Sequence, residues 1–166
     1  SSNPSARPSA SVMVWPRPMA AQARRGQDGG VIPIVTPAEM GAIDAAAPEP
    51  AEVLIGRAGT AVARTAVAML GGSYGRRVVV LAGKGNNGND GRAAARRLEA
   101  RGVRCRVIDV GAAPAALPDA HLVIDAAFGT GFRGDLVLPA LPRPDLPVLA
   151  VDIPSGVSGL TGVAAG

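Results

Sequence analysis

The chain has 166 residues, enough for one domain with a sizeable core, and 48% of them are apolar while only 2% are aromatic, so Ala, Val, Leu and Gly must supply the packing. The net charge of +4 points to no nucleic-acid partner, because Arg7, Arg17, Arg24 and Arg25 against Asp28 put most of it in the first thirty residues and no basic groove with interleaved aromatics follows. Cys105 stands alone, which excludes an internal disulfide, and no apolar run approaches the roughly 20 residues of a membrane span, so a cytoplasmic setting without a membrane partner is expected.

Residues 1–30, rich in Ser, Pro, Arg and Gly, read as a disordered tail, and Val31–Val35 as a short extended segment. Thr36 before Pro37 and Glu39 is an N-cap followed by Pro at the first helical position and an acid in the first turn, which predicts a helix to about Ala46. A longer helix is expected over Ala51–Met69, with Leu54, Ala58, Ala61, Val62 and Met69 on its apolar face. Gly59 and Ala63 form a neighbouring strip where another helix can come close, and Gly71 and Gly72 end the helix.

Arg77–Ala82 is a short, continuously apolar strand of the kind buried on both faces of a parallel sheet. Asn89–Arg101 reads as a helix closed by Gly102. Val103–Val110 is a second strand whose alternation with Arg104 and Arg106 suggests a wetter face near an edge. Ala120–Ile124 and Leu146–Val151 are the third and fourth strands. This alternation predicts an α/β, Rossmann-like three-layer fold with a mainly parallel sheet.

Ligands of open α/β sheets bind beyond the carboxyl ends of the strands. Three strands here run into unusual polar or glycine-rich sequence: Gly83–Gly91 (GKGNNGNDG), Asp125–Asp135 (DAAFGTGFRGD) and Asp152–Gly156 (DIPSG). The first matches G-x-G-x-x-G, and Asp109 lies about twenty residues on, where a dinucleotide fold places a ribose-binding acid. A dehydrogenase is therefore one alternative. Against it, Asp90 in the first helical turn would repel a pyrophosphate, and Asn86, Asn87 and Asp90 offer oxygens suited to a hard cation or a ribose. In the second loop Asp125 ends an apolar strand and should be buried, needing a partner. Gly129, Gly131 and Gly134 would admit an anion to the backbone and Arg133 could clamp a phosphate; taken alone, the segment reads equally well as a flexible loop with a solvated Arg. In the third, Asp152 leaves a buried strand and Ser155 can turn an oxygen inward. His121 lies at a strand start and reads as structural, Cys105 as a small core residue, and Lys84 as a solvent-facing rim residue.

Together, GKGNNGNDG (83–91), DAAFGTGFRG (125–134) and VDIPSG (151–156) resemble the motifs of the NAD(P)HX epimerase family, also called the YjeF N-terminal domain. TPAEMGAIDAA (36–46) and RAG (57–59) look like that family's opening. The resemblance covers residues 31–166 and implies a domain whose final strands are missing at its C-terminus. It implies an isomerase that interconverts the R and S forms of hydrated NADH and NADPH, the S form passing to an ADP- or ATP-dependent dehydratase, fused or separate.

The resemblance assigns substrate binding to Asn86, Asn87, Gly88, Asn89 and Asp90, and to Gly129, Thr130, Gly131, Phe132, Arg133, Gly134 and Asp135. Asp152 would contact the substrate as the catalytic acid/base, its strand-end burial raising its pKa. Asn87, Asp125 and Ser155 would hold a potassium ion. The chain departs from the family pattern where Asn89 replaces a glycine, where Gly56 stands in place of a glutamate before RAG, and where Ser158 and Gly159 replace an acidic residue. A non-catalytic interaction module on the same fold is a further alternative, and the Ala/Gly-faced long helix leaves a homodimer open.

Overall fold

Four apolar runs pair into one wholly parallel sheet in the order β2-β1-β3-β4, where β1 is Arg77–Ala82, β2 Arg104–Asp109, β3 Leu122–Ala126 and β4 Val148–Ala150. The computed structural model describes residues 35–132, 134 and 136–164. The expected tail, the segment Val31–Val35 apart from its last residue, and the site candidates Arg133 and Asp135 lie outside the described residues.

Helix α1 spans Pro37–Ala45 and begins as its sequence demands. The Thr36 hydroxyl accepts from the Glu39 backbone N–H, and the Glu39 carboxylate accepts from Thr36, a reciprocal capping box. Helix α2 spans Ala51–Leu70 and stops at Gly71, whose φ of 65° is the left-handed conformation that glycine adopts without strain. Helix α3 spans Asn86–Glu99.

The buried face of α2 differs from the expected one. Gly59, Ala63, Ala66 and Leu70 face the core, whereas Ala61 and Met69 are exposed. Small residues win here because α2 lies hard against α3: a Cβ on Gly59 would stand 2.5 Å from the Ala93 Cβ. Helix α3 presses on the sheet in the same way, since a Cβ on Gly91 would meet the Ala126 Cβ at 2.5 Å. Interior packing at this density leaves no room for larger side chains. Helix α2, 20 residues long with an 18-residue window of mean hydropathy 1.4, is long and apolar enough by length and composition alone to cross a membrane, where no run of that length was expected. Gly59, Ala63, Ala66 and Leu70 nevertheless pack it into the core.

Alternate residues of the strands serve two cores. Val78, Val80, Leu122 and Ile124 point to the α2/α3 layer, and Val79, Leu81, Ile108 and Val123 to the other face. That second face is covered by a 3-10 turn (Val110–Ala112) and by irregular chain carrying Leu117, Ala120 and Leu146. Strand β2 lies at an edge with its arginines exposed, as its alternation predicts, although Val107 is also exposed. His121 accepts a hydrogen bond from the Arg77 backbone N–H at 3.0 Å and fixes the start of β1, a structural role. Cys105 is half-buried beside Glu99, and burial pushes its thiol up to about 12, which keeps it an inert packing residue.

Because β1 and β3 are neighbours while their chains continue to opposite sides, the sheet's switch point lies between the carboxyl ends of these two strands. Their loops are flush there. Gly83 donates to the Ala126 carbonyl at 3.0 Å, and a Cβ at Gly83 would sit only 1.9 Å from the Ala127 oxygen.

Candidate active site

A cleft of about 1140 Å³ opens over this switch point. Its walls come from the turn after β1, the start of α3, the end of β2, residues Ala127–Phe132 after β3, and Asp152 after β4. Helix α1 adds Met40 and Asp44, which lie in the TPAEMGAIDAA segment but are not among the expected site residues. Among the described residues, four carboxylates line it (Asp44, Asp90, Asp109, Asp152) against one ammonium, Lys84.

The floor is held from below by Asp125. Its position in β3 makes it buried, 7% exposed, as its apolar strand predicts. It accepts from the Ser155 hydroxyl at 2.6 Å, the Ser155 backbone N–H at 2.8 Å and the Ala127 backbone N–H at 3.2 Å. The Ser155 oxygen in turn accepts from the Phe128 N–H at 2.9 Å. Three of the roughly four lone-pair directions of the carboxylate are thereby used, all by neutral donors. Two strand ends are locked together by one charge.

Asp152 is exposed, which corrects the expectation of a buried strand-end acid. It is the one non-glycine residue with positive φ among those described, at 69°. That conformation is uncommon except for Asn, Asp and Gly. It swings the carboxylate over the Gly129 loop, where Oδ2 accepts from the Thr130 N–H at 2.9 Å. A Cβ at Gly129 would lie 2.6 Å from that Oδ2 and 3.6 Å from the Asn87 Cγ. Glycine at 129 thus makes room for Asp152 and Asn87 to converge. The Asn87 amide nitrogen is buried there with no hydrogen-bond partner among the described residues.

The N-terminus of α3 begins three residues before its expected start, so Asn86 and Asn87 sit in the first turn and Asp90 in the second. Asp90 is pushed up to about 6, first by burial, then by the charges of Asp152 and Asp44. Gly88 is buried in the bend: a Cβ there would meet the Gly83 oxygen at 1.9 Å. Asn89 is exposed and turns instead toward a smaller groove between α2 and α3, shared with Gly56. Of the remaining candidates, Gly129, Thr130, Gly131 and Phe132 line the cleft, while Gly134 is exposed with φ 112°. Phe132 packs its ring on Phe128 with centroids 4.5 Å apart.

Sequence reasoning also missed Arg92. From α3 it donates to the Gly83 carbonyl at 2.7 Å and pairs with Asp109 at the end of β2. Gly159 packs closely against the Gly129 loop, since a Cβ there would lie 2.9 Å from Thr130 and 3.1 Å from Pro37 of α1.

Residues 51–120 match the family model described as YjeF-related protein N-terminus. The chain is 36% identical to an NAD(P)H-hydrate epimerase of Leuconostoc mesenteroides, over 80% of this chain and 74% of that protein. It is 37% identical to an NAD(P)H-hydrate epimerase of Bordetella pertussis, over 66% of this chain, and spans 60% of that relative's length. A bifunctional NAD(P)H-hydrate repair enzyme of Moorella thermoacetica is 32% identical over 78% of this chain and 33% of its own. Among solved structures, a yeast protein (YNL200c) shares the fold with a TM-score of 0.55 at 21% identity, over 75% of this chain and 72% of that one. On this similarity, over a fold with three motif loops at one sheet edge, the chain belongs to the NAD(P)H-hydrate epimerase family related to the YjeF N-terminus.

Proposed function

We propose that the cleft binds hydrated NADH or NADPH and interconverts their R and S forms. The observation that carries this reading is the convergence of Asp152, Asn87 and Gly129 on the floor of the cleft, in a chain whose relatives are named NAD(P)H-hydrate epimerases. Asn86, Asn87, Asp90 and the Gly129–Phe132 loop line the space the substrate would fill.

Epimerisation at the hydrated carbon requires the hydroxyl to leave and return, or the ring to open and close, and either route moves a proton. Asp152 is the acid/base: Thr130 fixes one of its oxygens, and the other has no hydrogen-bond partner among the described residues. Asp90 beside it retains its proton up to about pH 6, because burial and the charges of Asp152 and Asp44 disfavour its ionisation. A carboxyl group that keeps its proton to about pH 6 can supply an acid in the cleft.

A potassium ion suits the residues beneath the floor. Asp125 is a buried charge met only by neutral donors, and the unpartnered end of the Asn87 amide becomes an oxygen if the amide turns by 180°. Asn87, Asp125 and Ser155 would hold the ion, which when bound offsets the carboxylate charge around the substrate. The S form would pass to an ADP- or ATP-dependent dehydratase in the cytoplasm, a pairing in keeping with the bifunctional relative.

Chromatographic equilibration of R- and S-NADHX tests the proposal. The expected result is protein-dependent interconversion that falls when potassium is replaced by choline. Equilibration no faster than the spontaneous rate contradicts the function, and a rate indifferent to potassium contradicts the ion.

A further inference from the structure

The chemistry proposed above occupies one end of the cleft. At the other end, past the turn after β1, the wall is formed by the end of β2 and the 3-10 turn behind it. The Asp109 carboxylate stands there with 68% of its side chain exposed. Its partner Arg92 is only 29% exposed and is fixed by its second bond, 2.7 Å to the Gly83 carbonyl. Gly83 is itself tied to β3 through the Ala126 oxygen. The carboxylate and the guanidinium therefore have set positions relative to the switch point.

In open α/β sheets an acid at the end of the strand beside the nucleotide turn accepts a bond from a ribose 2′-hydroxyl, and a nearby arginine accommodates a 2′-phosphate. Here both groups are present and in contact with each other. We infer that Asp109, held in place by Arg92 from the neighbouring groove between α2 and α3, forms the adenosine-ribose subsite of the cleft and makes it favour the dinucleotide lacking a 2′-phosphate. This rests on the reading of the cleft as a hydrated-dinucleotide site. One Asp109 oxygen is held by Arg92, which leaves the other for the ribose hydroxyl. A 2′-phosphate would instead meet that carboxylate at contact distance. The two Arg92 nitrogens that could offset it are already committed to Asp109 and to Gly83.

ADP-ribose and its 2′-phosphorylated form probe the subsite without any epimerisation. Calorimetric titration of the full chain should show ADP-ribose binding about tenfold or more tighter, the worth of one hydrogen bond to a charged acceptor. Asp109→Asn removes the repulsion and releases the Arg92 fork, so it should close or reverse that preference; Asp109→Ser should do the same. Equal affinity in the unaltered chain, preference for the phosphorylated form, an unchanged ratio in both variants, or binding of neither probe overturns the inference. Discrimination between the probes in a chain that does not equilibrate NADHX would sink the epimerase reading and leave the subsite standing. Equilibration with no discrimination would do the opposite.

Discussion

The floor and the wall of the cleft handle their carboxylates in opposite ways. Asp125, under the floor, is 7% exposed and surrounded by three donors from Ser155 and Ala127. Asp90, in the wall, faces two other carboxylates and is pushed up to about 6 by burial and by those charges. A buried charge held by three hydrogen-bond donors fixes geometry. A half-buried one left beside like charges stores a proton near neutrality, where acid/base chemistry can use it. The same residue type thus builds a rigid base in one place and holds a proton in the other.

Breaking the floor should have the larger effect. Asp125→Ala leaves the Ser155 and Ala127 backbone N–H groups buried without acceptors, at about 1–3 kcal/mol each, for a total loss of about 2–6 kcal/mol in denaturant unfolding. A loss below about 1 kcal/mol would mean that the network is not structural.

Altering the wall should move stability less and in the other direction. Because the folded state holds the Asp90 proton up to about 6 while the unfolded chain releases it near 3.8, folded stability falls as pH rises across that interval. The penalty is then constant at higher pH. Asp90→Asn removes it, so the variant should melt above the parent at pH 7–8, with the gap narrowing as pH falls through 6 and closing near 4. Solvent reaches this group and screens the effect. A gap that does not change between pH 4 and 7 would contradict the assignment.

How much of this was legible in sequence depended on the signal. Strand β1 is found where its unbroken apolar run predicts, and the α1 start where Thr36, Pro37 and Glu39 predict. Strand β3 begins two residues later than expected, because Ala120 packs as loop in the second core and His121 serves to anchor β1. Strand β4 keeps only Val148–Ala150, since Leu146 is buried before it and Val151, whose N–H still donates to the Asp125 carbonyl at 2.8 Å, already leads into the turn. Periodicity marks residues that are buried and cannot tell a strand from covering chain. The α2 face was misread because hydrophobicity favours large residues, whereas the close helix contact selects Gly59, Ala63 and Ala66.

In the cleft, motif spacing brought out Asn87, Asp90, Gly129 and Asp152, which do meet at one sheet edge. Asn89, read from the same motif, turns to the outer groove because the helix has already begun at Asn86. Asp44 and Arg92 are not among the expected site residues. One comes from a helix distant in sequence, and the other is identified only by the chain's return to Gly83 and Asp109.

The central claim is that Asp152 carries the chemistry. Asn tolerates the left-handed backbone that Asp152 adopts at φ 69°, so Asp152→Asn should leave the loop in place and remove only the carboxylate proposed to transfer the proton. R/S equilibration of NADHX should then slow by about 10²–10⁴-fold with ADP-ribose still bound. Equilibration at the rate of the unaltered chain would contradict the account.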